Sequence, residues 1–261
     1  MASVLLAVDV GNTQTHIGAW DGDRLVEHWR FATVRESTAD ELGAALRNLL
    51  ELRGVGLADL GASIVSSTVP QLVPEWVEMG RRYLGLAPAV VGPGLKTGMP
   101  IRIDNPHELG ADRIVNAVAA YAQLGGPCVA IDFGTAVTYD VVSAAGEYLG
   151  GIISPGVGIS LEALSEHGAK LPKIDLAEPR SLIGKSTVDA IRSGIVFGYA
   201  GQVEGVLRRL RTELGVDVRA IATGGIARQI VPFCERGAID EIDDFLTLKG
   251  LRLLHERARA A

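Results

Sequence analysis

The sequence predicts an α/β protein built twice over, with two lobes of mixed β-sheet flanked by helices and a ligand cleft between them. Three observations carry this prediction. The segment AVDVGNTQTHIG from Ala7 aligns without gaps on AIDFGTAVTYDV from Ala130. Each copy is an apolar run ending in Asp, then a Gly turn, then a second strand with Thr two positions beyond the loop, Thr15 and Thr138. Each copy then folds back as a hairpin, at Asp21-Gly22-Asp23 and over residues 143–146, and helical segments follow in both halves.

In the first half the returning strand is expected over residues 25–31. Thr38-Ala39-Asp40-Glu41 reads as a capping box, Leu42, Ala45, Leu46 and Leu49 make one apolar helix face, and Gly54 closes the helix. A short strand over residues 62–66 follows, then a helix over 74–83, a strand near 88–91 and an irregular Gly/Pro segment over 92–106. Another helix begins near Gly110. The second half supplies a returning strand through 148–153, a long helix over 187–214, a strand over 220–223, a helix opened by Gly224-Gly225 and a last helix around 245–259. A boundary near Arg113 divides the chain into an N-terminal lobe of residues 1–113 and a C-terminal lobe of residues 114–261.

Composition narrows the function classes. With 261 residues and 48% hydrophobic content, the chain can bury a large core. Its net charge of -6 disfavours a surface that binds nucleic-acid backbone. The apolar runs are strand-sized, far from the roughly 20 residues of a membrane span, so no membrane partner is expected. No basic leader precedes the first apolar run, which points to the cytoplasm. Two cysteines, Cys128 and Cys234, allow neither a disulfide framework nor a Cys-x-x-Cys metal site. The five histidines lack metal-ligand spacing, although His16 stands just past the first loop. Anion affinity must therefore come from local devices: backbone amides, helix ends, single arginines or a bound cation.

Asp9-Val10-Gly11-Asn12-Thr13 is the first such device. Gly11 leaves room for a phosphate, Asn12 and Thr13 offer short polar groups, and Asp9 can hold magnesium directly or through its waters. A tight hairpin capped by Asp fits the same residues, but the equivalent Asp132-Phe133-Gly134-Thr135 favours two phosphate loops. Asp132 suits a cation or phosphate contact, or the capping of its own turn. Gly224-Gly225 lets a nucleotide ribose or base approach backbone. His107-Glu108-Leu109-Gly110-Ala111-Asp112-Arg113 places an acid and a guanidinium at a helix start, suited to substrate handling, with helix capping as the simpler alternative. Gly184-Lys185-Ser186-Thr187 resembles the end of a P-loop, but Pro179 stands where the earlier glycine belongs and no strand precedes it, so it reads as a helix start.

Taken together, DVGNT at Asp9, DNPHELGADR ending at Arg113, DFGTAVTYD at Asp132, GEYLGGIISPG at Gly146, IGKST at Ile183, ATGG at Ala222 and LTLKGL at Leu246 resemble the type III pantothenate kinases, essentially end to end. That family belongs to the actin-like (ribonuclease H-like), sugar-kinase and heat-shock-protein ATPase superfamily. The resemblance implies ATP-dependent phosphorylation of pantothenate to 4'-phosphopantothenate, the first step of coenzyme A biosynthesis. By motif, Asp9, Val10, Gly11, Asn12, Thr13, Gln14, Thr15 and His16 would bind the ATP phosphates, with Thr135 as a further ATP contact. Gly110, Ala111, Asp112 and Arg113 would line the pantothenate site, Asp112 as catalytic base, and Thr187 would touch pantothenate. Asp132 would hold a monovalent cation, potassium or ammonium, and magnesium would accompany ATP near Asp9. The resemblance also implies a homodimer. The family commonly has Asn at Ser186, Thr at Val137 and Tyr at Ile103; the last bears on one pantothenate contact and not on the reaction. Two other classes compete: a catalytically silent relative acting as a transcriptional accessory or metabolite-binding protein, and a superfamily member acting on a sugar or polyphosphate.

Overall fold

The computed structural model of the chain describes residues 4–168 and 170–260. The expectation of a leaderless start bears on residues 1–3, outside that range. The first sheet contains β1 (Val4–Val10), β2 (Gln14–Asp21), β3 (Arg24–Ala32), β4 (Leu60–Ser67) and β5 (Ala89–Val90), in the order β3-β2-β1-β4-β5. The second contains β6 (Cys128–Phe133), β7 (Ala136–Val142), β8 (Tyr148–Pro155), β9 (Arg219–Thr223) and β10 (Glu241–Ile242), in the order β8-β7-β6-β9-β10. In both, the first three strands pair antiparallel and the last two add in parallel to the first. The duplication seen in sequence is thus a duplication of topology.

The helices are α1 (Ala39–Glu51), α2 (Leu72–Met79), α3 (Ala111–Leu124), α4 (Val157–His167), α5 (Thr187–Leu214), α6 (Ala227–Ile230) and α7 (Leu246–Ala260). The capping box at the head of α1 forms as expected: the Glu41 amide donates to Thr38 Oγ1 at 3.3 Å and the Thr38 amide to Glu41 Oε2 at 2.8 Å. The helix expected over 74–83 runs instead from Leu72 to Met79. It then widens at Gly80, where a Cβ would lie 2.5 Å from Pro88 Cγ. Helix α4 has no counterpart among the sequence expectations. Val157 is its one fully buried side chain, so its apolar residues trace no periodic inward face.

Two compact units result. The first comprises the chain up to Met99, Asp104–Ala119 and the segment from Leu246; the second comprises Pro100–Ile103 and Ala120–Phe245. The division falls within α3 after Ala119, not at Arg113, and α7 joins the first unit because it packs on β1, β2 and β4. In the first unit Leu6, Val8 and Val10 pack against Leu42, Leu46 and Leu50 of α1 and Leu72, Trp76 and Met79 of α2. In the second, Val129, Ile131 and Phe133 pack against Val196, Val203 and Leu207 of α5. Burying each such Leu, Val or Phe side chain contributes about 1.5–3 kcal/mol. Strand alternation then turns Asp9 and Asp132 to the sheet faces opposite these clusters.

Candidate active site

In the first unit, β1 ends at Val10 and the chain turns through Gly11 into β2, with the Gly11 amide donating to the Gln14 carbonyl at 3.0 Å. A Cβ at Gly11 would lie 2.9 Å from that same carbonyl oxygen, so the turn requires glycine there. Asn12, Thr13 and Gln14 are exposed, leaving short polar groups and backbone at the tip. The far side of the loop is braced from the end of β3: the Thr33 amide donates to the Thr13 carbonyl at 2.9 Å, and the Thr15 and Thr33 hydroxyls lie 2.9 Å apart.

Asp9 is paired in register with His16 on β2 and with Ser66 on β4, and His16 in turn with Arg30 on β3. One row of polar residues therefore crosses four strands on the face opposite the first core cluster. Burial lowers the His16 pKa, helped by Arg30 and His28, so His16 is neutral at pH 7. Ser66 was not anticipated. It is fully buried, and its hydroxyl has no hydrogen-bond partner among the described residues. The available signal was its place at the end of the strand neighbouring Asp9.

Gly110 to Arg113 belong to the same unit. The Gly110 carbonyl accepts from the Ile114 amide at 3.3 Å, so the start of α3 is set at Gly110 and Asp112 falls in the first turn. A Cβ at Gly110 would lie 2.6 Å from Asp112 Oδ1, so the carboxylate occupies the space a side chain would take. Asp112 is half-buried. Burial raises its pKa, opposed by backbone hydrogen bonds at the helix start and by the Arg113 charge. A carboxylate shifted upward at a helix start, beside a guanidinium, suits a group that must accept a proton.

In the second unit Asp132 is the next-to-last residue of β6 and pairs in register with Thr138 on β7 and Thr223 on β9. Here the structure corrects the ungapped alignment. Phe133 pairs with Val137 where Val10 pairs with Thr15, so the second loop is one residue shorter and Thr138 takes the position of His16, not of Thr15. A one-residue slip reverses the facing of every later side chain, which is why Thr15 lies across the sheet from Asp9 while Thr138 shares the face of Asp132. Gly224 is also reassigned. Its φ is +94°, and a Cβ there would lie 2.5 Å from Asp132 Oδ1, so this glycine makes room for the carboxylate. Gly225 is exposed and open. Gly156 closes the other side, its amide donating to the Thr135 carbonyl at 3.1 Å.

Among the described residues no cluster of three His, Cys, Asp or Glu side chains is placed to hold a metal. A cation at Asp132 would be held by one carboxylate with hydroxyl and carbonyl oxygens, a hard-donor set with low charge that fits a monovalent ion. Thr187 is exposed in the first turn of α5. Ser186 caps that helix: its Oγ accepts from the Asp189 amide at 3.1 Å and donates to Asp189 Oδ2 at 2.8 Å. Ile103, in the second unit, packs near Gly150 of β8, whose Cβ would lie 3.7 Å from Ile103 Cγ2.

The twice-repeated sheet with an Asp-Gly loop at the end of each leading strand defines the duplicated actin-like (ribonuclease H-like) fold. Solved structures share this fold. A Baf-family protein from Campylobacter jejuni matches with a TM-score of 0.58 at 16% identity, over 98% of this chain and 100% of its own. The activator of the 2-hydroxyisocaproyl-CoA dehydratase from Clostridium difficile, solved with bound ADPNP, matches at 0.54 and 14% identity, over 98% and 96%. The sequence is more specific than the fold. The family model of type III pantothenate kinase matches residues 5–209, and the type III pantothenate kinase of Streptomyces griseus is 52% identical over 97% of this chain and 98% of its own. The chain belongs to the type III pantothenate kinase family.

Proposed function

We propose that this chain transfers the γ-phosphoryl group of ATP to the terminal hydroxyl of pantothenate, giving 4'-phosphopantothenate and ADP, the entry step of coenzyme A biosynthesis. The observation that carries this reading, beyond family membership, is the half-buried Asp112 seated against Gly110 beside Arg113. The hydroxyl oxygen bonds to the γ-phosphorus, the bond from that phosphorus to the β,γ-bridging oxygen breaks, and the hydroxyl proton passes to Asp112 late in the transfer. Arg113 grips the pantothenate carboxylate with two parallel N–H donors, and Gly110, Ala111 and Thr187 complete the acceptor site.

In the same reading the loop from Asp9 to His16 holds the ATP phosphates, and Thr135 adds an ATP contact. Asp9 would hold, directly or through water, the magnesium that accompanies ATP, which would neutralise charge on the phosphate oxygens. Asp132 holds potassium or ammonium, a role supported by the flanking hydroxyl residues Thr138 and Thr223. The chain acts in the cytoplasm; among the described residues no helix is long and apolar enough to cross a membrane.

A homodimer is part of this proposal. Ile152 and Ile153 on the edge strand β8, with Ile159 and Leu164 on α4, are exposed in the second unit. Exposed apolar side chains grouped in this way favour burial against another surface. An acceptor panel tests the substrate assignment: ADP release with Mg-ATP and potassium is expected for pantothenate and not for N-acetylhexosamines or polyphosphate. Turnover of a sugar in preference to pantothenate would overturn it.

A further inference from the structure

ATP brings several negative charges to a loop that carries a carboxylate of its own, Asp9, in a chain of net charge -6. Gly11, Asn12 and Thr13 contribute neutral donors only, and His16 is held neutral by burial. Arg30 stands two strands away from Asp9 in the sheet. Arg35 brings a guanidinium to the loop: its Nη2 donates to Asn12 Oδ1 at 3.3 Å across 23 residues of sequence.

The backbone carrying Arg35 is pinned on both sides while its side chain is exposed. Two residues earlier, Thr33 is tied to the loop by the bonds to Thr13 and Thr15. The Arg35 carbonyl itself accepts from Gln71 Nε2 at 3.1 Å. A guanidinium held at its root, with one long hydrogen bond at its tip and further N–H donors unused by that bond, is built to swing onto an anion.

We infer that Arg35 is a phosphate-binding residue of the Asp9 loop, adding a guanidinium to the neutral donors that meet the phosphates of ATP. This rests on the proposed reading that the Asp9 loop holds those phosphates. Bonds to charged groups contribute enough that Arg35→Ala raises the KM for ATP about tenfold. The KM for pantothenate and inhibition by adenosine, which has no phosphate, stay within about twofold, while inhibition by ADP weakens. Because the side chain is exposed, the thermal midpoint does not move. Arg35→Lys, a point charge without the planar fork, lies between parent and Arg35→Ala.

The test measures these quantities for Arg35→Ala, Arg35→Lys, Asn12→Ala, the Asn12→Ala/Arg35→Ala double variant and Asp9→Asn. The inference predicts that Arg35→Ala still weakens ATP and ADP in the Asn12→Ala background. Loss of ADP and adenosine affinity alike, or no added loss in that background, shows that Arg35 only props Asn12 and overturns the inference. An unchanged KM for ATP in Arg35→Ala overturns it too, with the loop reading surviving if Asp9→Asn still weakens ATP. If Asp9→Asn also leaves ATP unaffected, the loop reading falls and the inference with it.

Discussion

Asp112 shows most directly how local packing sets chemistry. Burial raises its folded-state pKa above the ordinary 3.8. A raised carboxylate favours folding below its unfolded-state value and loses that contribution as pH rises through the folded-state value, so at pH 7 the ionised form costs stability. Asp112→Asn is therefore expected to abolish measurable turnover while melting no lower than the parent at pH 7. Its stability advantage should shrink as the pH falls towards 3.8. The acid limb of kcat against pH should lie above the range of an exposed aspartate, measured by initial rates across pH. Gly110→Ala is a gentler probe. Its Cβ would meet the end of a rotatable side chain, so the chain should fold with little change in melting point while kcat falls roughly tenfold or more through displacement of the carboxylate. Ser66 gives the opposite sign to an ordinary buried polar residue: removal of a hydroxyl with no hydrogen-bond partner by Ser66→Ala should leave the melting point unchanged or raised.

Among the elements, α5 bears on the proposed acceptor site because Ser186 caps it immediately before Thr187. Ser and Asn are both strong N-cap residues, so either can cap the helix here. Ser186→Asn is expected to keep stability within about 0.5 kcal/mol, whereas Ser186→Ala should cost about 1 kcal/mol in denaturant unfolding. The strands other than the two-residue β10, for which the sequence raised no expectation, and α1 were legible because their signals are local: alternation, a capping box and turn residues with Gly. The length difference between the two Asp-Gly loops was not legible. Identity across the loop, Thr15 with Thr138, outweighed a gap that only the strand register reveals. Helix α4 was missed because burial at one residue leaves no period to read.

At the level of the whole chain, the twofold repetition was visible from Ala7 and Ala130 alone, but the membership of each unit was not. Helix α7 closes the first unit through packing on β1, β2 and β4, a contact between segments far apart in the chain that no local pattern encodes. The exposed isoleucines of β8 make the proposed dimer testable: Ile153 is 62% exposed, so Ile153→Glu should fold normally yet shift the chain towards monomer in analytical ultracentrifugation. An unchanged sedimentation coefficient would remove β8 from the interface. The roles of the two aspartates are separable in the same spirit. Exchange of potassium for sodium should lower the activity of the parent and have little further effect on Asp132→Asn, measured by initial rates.

The central claim is phosphoryl transfer from ATP to pantothenate through Asp112. Its most direct test is mass-spectrometric detection of 4'-phosphopantothenate after the purified chain is incubated with pantothenate, Mg-ATP and potassium, alongside Asp112→Asn under identical conditions. Product from the parent and none from Asp112→Asn is the predicted result; no product from the parent, or near-parental turnover by Asp112→Asn, would contradict it.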